Sequence, residues 1–440
     1  MWKNKFAGLV GLTLVGLVAA PRSQGQGLGN SPYSRLGLGD ANPNTGGVRQ
    51  LGMGGVGLAA PNGVHVNDLN PALIYYTSRT TFEMALNGQF HTVSNRLESQ
   101  RDGSATLGYL AFSVPISKWW AASAGLRPYS AVDYNSTSTG SVAGDPTAQT
   151  LEQNTGTGGL AEAHMSHAFR LAKGLTVGGT ASYVFGSIDL ASGVLLNKAS
   201  VQTQINTIEH VHYSDFTYRV GAHYRNKLNS KINYNLAGVY TFQSHLNGFR
   251  NTSVERQDAG VITNTTPQVT DQQGEAVVPA LAQAGISLDN NKNWSINVDV
   301  AQQQWSKFRS FGVAGGATTG VPLNDTWRAG IGGEIAPDPG SVESYFKRVS
   351  YRAGISVAQM PYRPDGKMMY DRAVSWGFSF PLPTATALDA TTINLGFSYG
   401  QRGNTAKSIE NPSGNIKENY VKAQLGVTLN NRWFLKRRIE

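Results

Sequence analysis

Apolar and polar residues alternate one by one through segment after segment of this chain, and that period of two constrains its fold more than any other feature. In Asn293 to Val300, Trp294, Ile296, Val298 and Val300 share one face, and Asn293, Ser295, Asn297 and Asp299 share the other. Between Thr176 and Phe185, Val177, Ala181, Tyr183 and Phe185 oppose Thr176, Thr180 and Ser182. Near the C-terminus, Val421, Ala423, Leu425, Val427 and Leu429 oppose Tyr420, Lys422, Gln424, Thr428 and Asn430. Fourteen such segments can be counted, centred near Ala85, Tyr109, Ala124, His164, Thr180, Tyr218, Leu236, Ala284, Val298, Gly330, Gly354, Trp376, Leu395 and Leu425. Each is long enough to cross a bilayer as a tilted strand, which takes about 9–11 residues.

The connections fall into two alternating classes. Short turns follow every second strand: Ser117-Lys118, Ala172 to Gly174, Asn226 to Ser230, Asn290 to Lys292 and Pro383 to Ala387. Between them lie longer polar stretches, expected as loops, such as Asn135 to Gly156, Leu190 to Gln204, Phe249 to Gly274 and Lys307 to Val321. Short periplasmic turns facing long outer loops are the asymmetry of outer-membrane barrels. Pro337 to Tyr345 is a longer turn on the predicted periplasmic side, and counting from it puts both termini in the periplasm.

The alternative is a secreted β-sandwich, whose buried faces need dense Val, Ile, Leu and Phe. Here many apolar-side positions are Ala, Gly or Tyr, while the opposite faces carry Lys, Gln, Asn and Asp, and only 15% of residues are charged. Aromatic residues at segment ends (Trp119-Trp120, Trp305, Trp327 and Trp433-Phe434) suit interfacial girdles. The expected fold is therefore an all-β, transmembrane antiparallel β-barrel of about 14 strands, embedded in outer-membrane lipids of a Gram-negative bacterium.

Residues 1–25 have the form of a secretory signal. Lys3 and Lys5 precede an apolar run from Phe6 to Ala20, too short to span a bilayer, where about 20 residues are needed. Ser23 and Gly25 suit cleavage before Gln26. Lys3, Lys5 and Arg22 leave with it, taking the formal charge from +9 to +6. The remaining basic residues are scattered, so no nucleic-acid partner is expected. There is no cysteine, which excludes disulfides, thiolate metal sites and a cysteine nucleophile.

Residues 26–79 do not alternate and are too few for a substantial core of their own. They are rich in Gly, Asn and Pro, yet Leu51, Met53, Val56 and Leu58 argue against a solvated tail. A plug inside the lumen is expected, preceding a barrel over residues 80–440. Within it, Leu51-Gly52-Met53-Gly54-Gly55-Val56-Gly57-Leu58-Ala59 and Asn70-Pro71-Ala72 resemble the hatch of the long-chain fatty-acid transporter (FadL/OMPP1/TodX-type) family. Asp299 with Trp305-Ser306-Lys307-Phe308 is similar to that family's aspartate-containing strand ending in Trp-Ser-x-Phe. Trp327-Arg328-Ala329-Gly330, Tyr351-Arg352-Ala353-Gly354 and Pro361 are similar to its paired late strands. The Ser31-Pro32-Tyr33-Ser34-Arg35 opening departs from the pattern, which weakens any transfer of substrate.

Other chemistry is thinly supported. Gly52, Gly54 and Gly57 formally match a dinucleotide fingerprint, but Pro61 and Asn62-Gly63 interrupt the helix it would need, so no cofactor is expected. His210 and His212 share a strand face without a carboxylate set of metal-site spacing, so no metal is expected. No motif such as G-x-S-x-G marks a hydrolase, and an enzyme is not expected. The basic stretch Trp433 to Arg438 suits either an interfacial anchor with a solvated tail or a handle for a periplasmic partner. The resemblance implies passive uptake of small hydrophobic, fatty-acid-like compounds. The competing expectation is a structural or secretion-associated barrel with periplasmic or surface protein partners in an export or assembly complex.

Overall fold

The computed structural model describes residues 31–431 apart from 36, 42–45, 143–144, 199–200, 315–321, 384–389, 408 and 410–413. The signal segment, Gln26, Trp433-Phe434 and most of the Pro383–Ala387 turn lie outside the described residues.

Fourteen antiparallel strands close into a barrel. They are β1 (Thr80–Ser94), β2 (Ser99–Pro115), β3 (Trp120–Val142), β4 (Asp145–Ala172), β5 (Leu175–Lys198) and β6 (Val201–Lys227). Two interrupted strands follow, β7 (Asn233–Thr241 and Ser244–Asp258) and β8 (Val261–Val278 and Leu281–Asp289). The last six are β9 (Trp294–Gln303), β10 (Thr326–Ile335), β11 (Ser350–Gln359), β12 (Tyr370–Leu382), β13 (Ala390–Gly403) and β14 (Lys417–Asn431). Neighbours in sequence are neighbours in the sheet, and β14 closes on β1 from Lys417↔Ser94 to Asn431↔Thr80. All fourteen expected centres fall inside these strands.

Alternation predicts the two faces. On β9, Ile296, Val298 and Val300 are exposed to the outside while Ser295 and Asn297 are buried within. On β14, Val421 and Leu425 face out and Gln424, Thr428 and Asn430 are buried. The outward aromatic residues form two bands. At the short-turn end Trp119 stacks on Trp120 and Phe169, and Tyr351 meets Phe378. At the other end lie Tyr183 with Phe216, Tyr240 with Phe242, and Trp327 with Tyr370.

Two expectations are corrected. The stretches Asn135–Gly156, Leu190–Gln204 and Phe249–Gly274 are largely paired strand rather than loop. The ladders of β3–β4, β5–β6 and β7–β8 run on to Val142↔Asp145, Lys198↔Val201 and Val261↔Asp258. Their Ser, Thr, Asn and Gln residues satisfy two solvated faces, and pairing satisfies the backbone. Trp305, in turn, is not a girdle residue. Its ring packs on Phe308, with centroids 5.7 Å apart, beside a buried cluster containing Leu38, Tyr213 and Leu323.

Candidate functional site

Residues 46–76 lie against the inner wall, where small residues and counter-charges receive them. Gly54 takes a positive φ of 77°, and a Cβ there would press on the Ile355 backbone at 3.0 Å; on Gly52 it would sit 3.1 Å from Gly377 Cα. Glycine is therefore a packing requirement here on both sides of the contact. Gly57 and Leu58 donate their N–H groups to one oxygen of Asp299, at 2.7 and 2.9 Å. The Leu58 carbonyl accepts from Asn70 Nδ2 at 3.1 Å, and the same amide donates to Ala222 O on β6 at 3.3 Å. Asn70 Oδ1 also caps the 3-10 helix Pro71–Tyr76 by accepting from Ala72 N–H at 3.0 Å. Asn70 is thus both a wall contact and the residue that turns the chain, and Leu58 joins it to Asp299.

Charges reinforce this seat. Arg49 binds Glu334 on β10, with Nε at 3.1 and 3.0 Å from the two carboxylate oxygens, and Arg352 on β11 reaches the same carboxylate at 3.0 Å. Arg352 continues to Ser379 Oγ at 2.6 Å. His65 lies 3.0 Å from Glu83, and Asp68 lies 3.3 Å from His164. Burial alone would raise the Asp68 carboxyl, but His164, Arg127 and Arg219 outweigh it and hold the group below its ordinary value.

Trp305, Ser306 and Phe308 stand apart from that group. The 3-10 turn Trp305–Lys307 carries Ser306 to Asp325, at 2.6 Å, and delivers Phe308, 1% exposed, to the cluster around Leu38. Of the two histidines considered for a metal, His210 pairs with Asp189 at 2.5 Å and His212 with Ser187 Oγ at 3.0 Å.

The wall itself is open on one side. β2 and β3 pair only from Leu110↔Leu126 to Pro115↔Ala121. Beyond that point β2 follows β1 and β3 follows β4. Pro128 has no N–H to give to either neighbour, and Tyr129 is an extra residue between Pro128↔Ala161 and Ser130↔Leu160. Gly108 is a matching extra residue on β2, between Ala85↔Tyr109 and Leu86↔Leu107. The bend continues into β4 and β5 through Gly158, Gly159 and Gly186, at φ of 104°, 146° and 152°. A Cβ on Gly159 would fall 2.5 Å from Ser130 O, so side chains there would block the bend.

Behind the opening is a cavity of about 630 Å³. Its inner lining includes Gln89, Gln424, Arg328 and Lys422. It also reaches Leu107, Ala161 and Phe185, which by alternation belong to the lipid-facing side, so the cavity passes through the wall. The short strand Asp40–Ala41 pairs with Ala131 and Ser130 along its upper margin, and Asp40 is held by Arg402 at 2.6 Å. A second cavity of about 320 Å³ shares Ala41, Arg127 and Arg328 with the first.

A fourteen-stranded antiparallel barrel whose first and last strands pair is a transmembrane β-barrel, and its fold is one that several solved outer-membrane channels share. The chain is similar to the CymD monoaromatic hydrocarbon channel (17% identity, TM-score 0.51, 89% of this chain and 98% of that one). It is similar to the Pseudomonas putida toluene transporter TodX (15%, 0.55, 90% and 100%) and to a Pseudomonas aeruginosa FadL homologue (13%, 0.53, 91% and 100%). At such identities these likenesses show a common fold. The chain belongs to the BamG family, whose sequence profile matches residues 6–440. No curated protein matches it. The resemblance carried by the hatch-like and late-strand motifs therefore holds at the level of the fold, while the matching family bears another name.

Sequence reasoning missed the Arg49–Glu334–Arg352 cluster and the wall opening. The second had a signal: a proline inside an alternating strand, and paired glycines at mid-strand, mark a bulge or bend. The first had none, because a lone Arg and Glu some three hundred residues apart carry no spacing.

Proposed function

We propose that this protein is a passive outer-membrane channel for small hydrophobic compounds, with residues 26–79 as the hatch that obstructs the straight path through the barrel. The observation that carries this reading is the cavity that passes through the wall between β2 and β3. A compound arriving at the outer mouth meets Leu107, Leu126, Leu160 and Phe185 at the opening and Arg328, Lys422, Gln89 and Gln424 behind it. Apolar burial would hold the body of the ligand, and a few polar groups would orient it, as in ordinary ligand pockets. That division suits fatty-acid-like molecules with one polar end. With the seat of the hatch beneath it, the side opening leads into lipid without crossing the whole lumen. In this orientation the long hairpins face outward and both termini are periplasmic.

The test is uptake of dodecanoate by liposomes holding the purified full chain, compared with Ala161→Trp, which narrows the opening from the lipid side. Faster uptake than protein-free liposomes, reduced in the Trp variant, is expected. Uptake no faster than in protein-free liposomes would overturn the proposal, especially if stably co-purifying proteins mark the barrel as a scaffold instead.

A further inference from the structure

The turns at the short end of the barrel share a composition that transport does not use. Each of the five described turns there carries an exposed lysine: Lys118, Lys173, Lys227 with Lys231, Lys292 and Lys347. Among the described residues none of these six forms an ion pair. Among the described residues the exposed acids at that end are Asp338 and Glu343, both in one turn. At the opposite end exposed acids and bases are mixed and paired, as in Arg256–Asp258 and His245–Glu275. Exposed Lys307, Lys367 and Lys407 stand at that end too, but among exposed acids such as Glu98, Asp102, Asp271 and Asp365, so the excess of positive charge, rather than lysine itself, is the feature of one rim.

Large apolar side chains project from four of the same five turns. Ile116 is 46% exposed, Leu171 63%, Leu228 61% and Phe346 69%. In a turn surrounded by water such residues gain nothing. At a membrane surface they do: the apolar chain enters the boundary between headgroups and acyl chains, and the lysine beside it reaches a phosphate. The aromatic band of Trp119, Phe169, Tyr351 and Phe378 lies just inside these turns, where a hydrocarbon layer ends. The lysines follow β2, β4, β6, β8 and β10 and the apolar residues accompany four of them, so together they run around most of the circumference. A docked protein would meet one side of the barrel, whereas a lipid leaflet meets every side.

We propose that this rim is a binding surface for anionic phospholipids, with the lysines taking phosphodiester headgroups and Ile116, Leu171, Leu228 and Phe346 seated among the upper acyl chains. It is independent of any transported compound.

The experiment reconstitutes the full-length protein in an equimolar mixture of phosphatidylglycerol and phosphatidylcholine, extracts it mildly, and measures the lipid that stays bound. Wild-type protein should retain the anionic lipid by roughly fivefold or more over the neutral one, since each interfacial lysine favours an acidic surface. Replacing all six lysines with Gln should abolish the enrichment while the β1–β14 closure still gives a folded barrel on gels. Should that variant fail to fold, Leu171→Ser with Leu228→Ser supplies the second measurement and should reduce total retained lipid. Equal retention of both lipids by wild-type protein would overturn the proposal. So would complete displacement of phosphatidylglycerol by inorganic phosphate, which would mean a site for free anions, or retention unchanged in both variants.

Discussion

Glu334→Gln should loosen the N-terminal segment more than any other single exchange in its seat. The Glu334 carboxylate is shared by two guanidiniums whose side chains are 2% and 1% exposed, those of Arg49 and Arg352. A neutral amide of the same size leaves both cations buried with no counter-charge. Removing one partner of a buried pair costs about 3–5 kcal/mol, and because Glu334 keeps 16% exposure the lower end applies. Every 1.4 kcal/mol is about tenfold, so opening of the segment should become about a hundredfold more frequent. Hydrogen exchange reads this directly, through the amides of Gly52 and Gly55, which donate to Val48 O and Gln50 O. Amides of the outer β7–β8 hairpin, from Arg250↔Gln272 to Thr265↔Glu255, serve as the control, because that pairing is made between the two strands themselves. Arg49→Met combined with Glu334→Gln should recover much of the protection, since only Arg352 is then left, still bonded to Ser379. Unchanged exchange at Gly52 and Gly55 in Glu334→Gln would refute the claim that this ion cluster holds the segment in place.

Four further outcomes are expected. Val298→Arg, on the lipid face, should destabilise the barrel by about 2–4 kcal/mol in chemical unfolding, whereas Gln283→Arg, facing the second cavity, should cost much less. Single cysteines at Ser138 and Thr265, in a chain that has no others, should react with an impermeant maleimide on intact cells, and one at Lys173 should not. Deleting residues 26–62 should leave a folded barrel of higher conductance in planar bilayers, and Asn70→Ala should shift conductance the same way by less, having lost a cap worth about 0.5–2 kcal/mol and two carbonyl contacts. Because the Asp68 carboxyl is held below its ordinary value, its contribution is present above about pH 4 and lost as pH falls through the lowered value; Asp68→Asn should remove that acid-side change in hydrogen exchange of the segment.

The barrel was legible because alternation is a local code. Each of Ile296, Val298 and Val300 declares its side from its neighbours alone, and lipid on one side with a polar interior on the other enforces the pattern through every strand. What fills the interior was less legible. Asn297 reads as a lumen residue, which it is, but the sequence does not say that it is wholly buried beneath Met53. For that reason an arginine at Asn297 is not the mild exchange that its polar neighbourhood suggests. The polar stretches around Ser138 and Thr265 were read as loops because two solvated faces erase the alternation while leaving the backbone pairing intact. Tyr129 is invisible for the opposite reason: a single inserted residue shifts the phase of a strand without altering its composition.

The parting of β2 from β3 also exposes two lengths of backbone that a complete hoop would never present. A sheet edge with unpaired N–H and C=O groups is a template for pairing with a neighbouring molecule, and barrels crowded side by side would be prone to it. This chain guards both edges. On β2 the adjacent Arg101 and Asp102 set full charges on the margin, where a docking strand would have to desolvate them. On β3, Pro128 withholds a donor, while Asp40–Ala41 and the N–H of Ser31, which reaches Asp133 O at 2.9 Å, occupy the stretch beyond it. The chain's own N-terminal strand is thus a ready-made cap against self-association, and a molecule stripped of it would offer β3 to the next barrel.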